Sequence, residues 1–168
     1  MLYLIVQIGE TSYALPSKGV VGVLPYVEVR PVARCPRGLA GVVNYHGQPV
    51  PVVDLCLAVL DRPARQLFTT RLVLFEVDRV GGGGSRGGGA QGGPSMLGLI
   101  AEGVTRTIRA EPKDFADTGI RSSEAWLGGV RVRDGEVLQL LDIGKLLSRE
   151  LRQALALCLD EPESGIPA

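Results

Sequence analysis

Histidine is nearly absent from this 168-residue chain, His46 being the single example. One imidazole leaves little room for acid–base relays or for metal sites built on that side chain. An excess of charge of either sign is missing too. Eighteen Lys and Arg balance 18 Asp and Glu, for a formal net charge of zero, whereas a nucleic-acid binder carries a basic excess. Aromatics are few, with three Phe, four Tyr and one Trp, and they form no base-stacking stripe among basic residues. No apolar run approaches the roughly 18–20 residues that cross a bilayer, so direct membrane insertion is not expected. The opening Met1-Leu2-Tyr3-Leu4-Ile5-Val6 has no basic residue ahead of its apolar run and reads as a strand, not as an export signal. Cys35, Cys56 and Cys158 are odd in number and show no CxxC spacing. They are expected as reduced thiols, and the chain as cytoplasmic.

Glycine is what the chain has in excess, at 23 residues, nine of them between Gly81 and Gly93. Backbone N–H groups of a glycine-rich loop can cradle phosphate, but this tract has no Gly-Lys-Ser/Thr ending and a strand pattern follows it. It reads as a mobile hairpin insertion over 79–95, whose removal leaves the fold intact.

Apolar residues elsewhere recur mostly at period two. Leu2, Leu4, Val6 and Ile8 share one face of a strand and Tyr3 and Ile5 the other, and Tyr13-Ala14-Leu15 returns as a hairpin. Val20 to Leu24 forms a strand closed by Pro25, and Val27, Val29 and Val32 alternate with Glu28 and Arg30 as an edge strand. Val42 to Tyr45 and Gln48 to Leu55 flank His46-Gly47 as a tight hairpin. Pro49 and Pro51 turn the side bearing their missing N–H groups outward. Asp54 caps a short helix over 55–60, which Pro63 stops. Strands follow at 71–77, at 96–101 and along the alternation of Val104, Arg106 and Ile108. A last hairpin turns at Asp134-Gly135, and Asp142 caps a turn of helix. A terminal helix over 148–159 and a frayed tail over 160–168 end the chain. Nine or ten short strands without long amphipathic helices between them define an all-β class.

Little chemistry is on offer. Cys35, His46 and Cys56 invite a rival reading as a small metal-binding protein or enzyme, but their spacings match no compact ligand motif. Asp54, Glu102 and Asp142 are candidate acid–base groups, each better explained as a cap or a solvated charge. No cofactor is expected.

One stretch shifts the balance. Gly41-Val42-Val43-Asn44-Tyr45-His46-Gly47-Gln48-Pro49-Val50-Pro51-Val52-Val53-Asp54-Leu55 resembles the central signature of CheW-like coupling domains of bacterial chemosensory systems, typically G-V-x-N-x-R-G-x-x-x-P-V-x-D-L. Tyr13 to Pro16, Val20 to Val23, Leu97 to Val104, and Trp126 to Val130 followed by Leu138 to Leu147 resemble other family segments in order and spacing. Asn44-Tyr45, the 49–56 segment and the 146–152 segment are similar to coupling proteins of Wsp-type surface-sensing pathways, whose output is a diguanylate cyclase. The resemblance implies two packed five-stranded SH3-like β-barrels with a C-terminal helix, as subdomains of roughly 10–66 and 67–142 with crossing termini. It implies a non-catalytic scaffold between a chemoreceptor's cytoplasmic tip and the regulatory domain of a CheA-type histidine kinase. The receptor tip is expected in the groove between the barrels. Carried over by motif as partner-binding residues are Val20, Gly22, Gly41, Val43, Asn44 and His46; Gly41 allows close backbone approach without a Cβ, and for Val20 and Val43 a buried-core role stands open beside the apolar partner contact. Two of them depart from the family: His46 stands where Arg is usual, and Gly22 where an acidic residue is common.

Overall fold

In the computed structural model the described residues are 1–33, 38–76, 96–119 and 126–146. The 79–95 insertion, Cys35, Cys158, the 148–159 helix and the 160–168 tail lie outside them in whole or nearly so. The chain forms β1 (Leu2–Ile8), β2 (Thr11–Pro16), β3 (Val20–Pro25), β4 (Leu39–Tyr45) and β5 (Gln48–Asp54). Helix α1 (Leu55–Leu60), β6 (Arg71–Glu76), β7 (Met96–Arg109), β8 (Leu127–Arg133), β9 (Glu136–Leu141) and α2 (Ile143–Leu146) follow.

Strand β7 organises all of it. Its first half pairs with β6, antiparallel, and with β5, parallel, while its second half pairs with β1. One five-stranded group therefore runs β7-β1-β2-β9-β8, and the other β3-β6-β7-β5-β4. Each closes through one bridge from the segment beyond an end strand. Ala116, downstream of β7, bonds to Val130 of β8, and Arg30, downstream of β3, bonds to Val42 of β4. The strands bend from one barrel into the other at Gly103, whose φ is +59° and whose missing Cβ leaves room for the Gln7 side chain.

Alternation sends the two faces of each central strand to different cores. Tyr3, Ile5, Ala14, Phe115 and Leu138 fill the first barrel, with the Tyr3 and Phe115 rings 5.0 Å apart. Val50, Val52, Leu72, Leu74 and Ile100 fill the second. Their strand neighbours Leu4, Val6, Val53, Val73, Phe75 and Leu99 meet in a larger cluster between the barrels. This explains why the centres of β1, β5 and β6 and the first half of β7 are nearly continuously apolar: neither face meets water there.

Three expectations are corrected here. The strands do not divide as 10–66 and 67–142 with crossing at the termini alone, because within those bounds β2 pairs with β9 and β3 with β6. The alternating 27–32 segment is no strand. Only Arg30 bridges Val42, since Pro25 and Pro31 have no N–H to extend a ladder. Glu102 is neither a cap nor a solvated charge, for it is 1% exposed on β7.

The two expected caps are present. Asp142 Oδ1 accepts from Lys145 N at 3.1 Å. Asp54 Oδ1 accepts from Cys56 N at 2.9 Å and Leu57 N at 3.1 Å, and its Oδ2 from Ala64 N at 2.8 Å. Asp54→Ala should therefore cost about 2 kcal/mol, more than an ordinary cap, because buried donors lose their acceptor. Urea unfolding midpoints of the two proteins measure it.

Candidate functional site

The expected partner-binding residues lie on β3, on β4 and, for His46, in the turn after β4; these are the two end strands of the second sheet, with the 26–33 segment bridging them. On β3, Val20 pairs with Phe75 and packs, half-buried, against the cluster between the barrels. Its exposed part thus sits at the edge of that cluster. Gly22, two residues on, has open space where a Cβ would be. The alternate β3 residues Val21 and Val23 are exposed, so the strand shows an apolar outer row that the motif comparison passed over. Period-two alternation was the signal for it.

Gly41 has φ +147°, and a Cβ there would overlap the Arg30 carbonyl. The close approach that glycine permits is intramolecular: it lets the 30–31 segment cross β4 and close the barrel. Val43, for which a core role and a partner contact both stood open, lies in the core. It is 7% exposed in the interior of the second barrel, because the β4 register turns it inward opposite Val50. Asn44 is exposed, and its Oδ1 accepts from Gly47 N at 2.9 Å, fixing the turn. His46 (φ 49°) and Gly47 (φ 82°) are the two central residues of that turn, the conformation whose twist suits a two-residue hairpin. The His46 ring stands edge-on to Tyr45 at 4.3 Å between centroids, on the surface.

His46 and Cys56 do not meet. They lie beyond opposite ends of β5, whose seven residues span about 20 Å. Cys56 is buried in the cluster between the barrels, and burial pushes its thiol pKa up, away from thiolate chemistry. Among the described residues no three His, Cys, Asp or Glu side chains gather as metal ligands. The Cys35–His46–Cys56 reading is not favoured.

The most ordered electrostatic feature was missed by spacing and motif. Glu102 Oε1 accepts from Arg65 N at 2.7 Å and Arg62 Nη1 at 3.0 Å, and its Oε2 from Arg65 Nη2 at 3.2 Å. Burial raises the Glu102 pKa, but the Arg65 backbone and side-chain donors and the Arg62 guanidinium outweigh it and hold the carboxyl at about 2. The same contact raises the Arg62 pKa. An acid within the apolar run Ile100-Ala101-Glu102-Gly103-Val104 was the available sign.

No helix among the described residues is long and apolar enough to cross a membrane. The two barrels share strand β7, and comparison with known proteins gives the family. The CheW-like domain family matches residues 2–151, and the chain belongs to that family. It is similar to the chemotaxis protein CheW of Treponema pallidum (strain Nichols), 27% identical over 159 residues, covering 89% of this chain and 84% of that protein. It is similar to the protein FrzA of Myxococcus xanthus, 27% identical over 154 residues, covering 89% of this chain and 87% of the relative. The crystal structure of the scaffolding protein TtCheW from Thermoanaerobacter tengcongensis superposes with a TM-score of 0.70 at 17% identity, over 89% of each chain. That likeness carries the fold, two SH3-like β-barrels.

Proposed function

We propose that this chain is a non-catalytic coupling protein that holds a chemoreceptor's cytoplasmic tip and the regulatory domain of a CheA-type histidine kinase together. The observation that carries the reading is family membership along 150 of 168 residues, those from 2 to 151. Its chemistry agrees, since Asp54 and Asp142 serve as caps and Glu102 is spent on two arginines. The receptor tip is assigned to the rim between the barrels, at Val20 and Gly22, with Gly41 shaping the β4 side and Asn44 and His46 at its hairpin tip. The resemblance of the 44–45, 49–56 and 146–152 segments to Wsp-type coupling proteins supports extending the proposal to a pathway whose output is a diguanylate cyclase.

The receptor contact is less charge-dependent than in relatives. His46 replaces a fixed guanidinium fork, Gly22 an acidic side chain, and packing imposes neither, since Gly22 has room and His46 is exposed. Purified full-length protein titrated with a kinase regulatory domain and with a receptor cytoplasmic fragment is expected to bind both. Failure to bind either would overturn the reading. His46→Arg should change affinity for at least one of them and make it more sensitive to salt. Identical binding of the variant to both would remove His46 from the site.

A further inference from the structure

The turn between β8 and β9 carries a reactive pair that partner binding leaves unused. Asp134-Gly135 is the one Asp-Gly of the chain, which has no Asn-Gly. Asp134 stands at φ 51° and Gly135 at φ 76°, a left-handed conformation that an L-residue adopts at a cost. The Asp134 side chain is 92% exposed, and its carboxylate pairs with Arg133 Nε at 3.8 Å. Gly135 has open space where a Cβ would be, so no side chain shields its amide nitrogen. Other aspartates differ. Asp54 and Asp142 are caps, Asp114 Oδ2 accepts from Glu111 N, Asp117 Oδ1 accepts from Gly119 N, and a residue with a side chain follows each.

Little holds this tip closed. Arg133 pairs with Glu136 beside the turn, and Val132 with Val137 one step further in. Both valines are exposed, and the Glu136 carboxylate is joined to Arg106 on the surface. Firm anchorage begins deeper. Leu138 is buried in the first barrel, and Val130 exchanges hydrogen bonds with Ala116 at 2.8 and 2.9 Å. Opening of the last two cross-strand pairs therefore exposes little new apolar surface and lies at the low end of the local stabilities of the fold.

We propose that Asp134-Gly135 is a site of spontaneous isoaspartate formation, which makes the aged chain a substrate for a methyltransferase that esterifies isoaspartyl carboxylates with S-adenosylmethionine. In the opened tip the Gly135 amide nitrogen attacks Asp134 Cγ. The N–Cγ bond forms, and the hydroxyl of the carboxylic acid leaves with the amide proton as water. A second water then opens the succinimide ring. Breaking its new N–Cγ bond restores aspartate. Breaking the original bond between nitrogen and the main-chain carbonyl carbon leaves the chain running through Cγ, with a free α-carboxylate as the methyl acceptor. The isomer places one more backbone atom in a two-residue turn, so Arg133 and Glu136 lose their register. The barrel closure at Ala116 and Val130 lies inside the damage and is retained.

The test holds full-length protein at neutral pH and physiological temperature for several weeks. Aliquots are then incubated with an isoaspartyl methyltransferase and S-adenosylmethionine bearing a radioactive methyl group, and proteolysis maps the label. Label is expected to accumulate with time in the peptide that contains residue 134. It should be lost in Asp134→Glu, whose longer side chain disfavours the ring closure. Asp134→Asn should convert to acid at that position with release of ammonia, through the same ring. Amide hydrogen exchange in the modified fraction should quicken over 131–137 and stay slow at Ala116 and Val130. Wild type that gains no label, under conditions that label the isolated 128–141 peptide, overturns the inference, because the folded turn then protects the pair. Label that persists in Asp134→Glu, or that maps to another residue, overturns it as well. No partner takes part in these measurements, so the coupling reading stands or falls separately.

Discussion

Replacing Glu102 by Gln should lower stability by about 2–3 kcal/mol at neutral pH, which for a protein of this size is a melting temperature lower by about 4–12 °C. Breaking a buried ion pair costs most when it strands a charge. Here Arg62 and Arg65 are 37% and 61% exposed and can turn back to water, which puts the loss below the extreme. The amide keeps one acceptor but turns an NH2 toward donors, so the loop over 61–70 loses its hold on β7. The pH dependence has a definite sign. The folded carboxyl titrates at about 2 against an ordinary 4.5. Its contribution is therefore complete above about pH 5 and declines as the pH falls toward 2. Wild type and Glu102→Gln should differ most near neutrality and converge in acid. Thermal melts across that range decide it, and a gap that does not narrow below pH 4.5 would assign the loss to packing.

Gly41→Ala should be comparably damaging, at about 3 kcal/mol, with loss of receptor binding in the variant that still folds. Two costs coincide at this position. The backbone is held where L side chains are strained, and the new methyl would occupy the space of the Arg30 carbonyl. Relief requires the 30–31 segment to leave β4, which breaks the reciprocal Arg30–Val42 hydrogen bonds that close the second barrel. Gly22→Ala is the matched control. It adds the same atom on the same side of the molecule into open space, and its stability should stay within about 0.5 kcal/mol of wild type. Chemical denaturation of the pair measures both. Equal midpoints for Gly41→Ala and Gly22→Ala would show that the Arg30 crossing can relax without loss.

What the sequence made legible was local. The His46-Gly47 and Asp134-Gly135 hairpins, the Asp54 and Asp142 caps and the period-two strands other than the proline-flanked 27–32 segment depend on neighbours a few residues apart, and they are as expected. The barrel partition was not legible, because one continuous pattern from Met96 to Arg109 hides the bend at Gly103, where the strand changes partners. Val43 stayed open between core and contact for a related reason: alternation says which residues share a face, but only register with Val50 and the Arg30 crossing says which face is inside. At Gly41 the sequence pointed to close backbone approach, and the group that approaches is this chain's own Arg30 carbonyl.

The shared strand also sets an order of completion during synthesis. The β1–β2 hairpin leaves the ribosome first, yet its barrel needs the second half of β7 as well as β8 and β9, which end at Leu141. The other barrel, though made later, has all of its strands once Ala101 has emerged. The segment translated first is thus enclosed last, and until then Leu4, Val6 and Ile8 have only the finished barrel to cover them. Such long-range closure folds slowly and leaves apolar edges open meanwhile. A nascent chain stalled just past Ala101 should resist protease over β3 to β6 while remaining cleavable in β1 and β2.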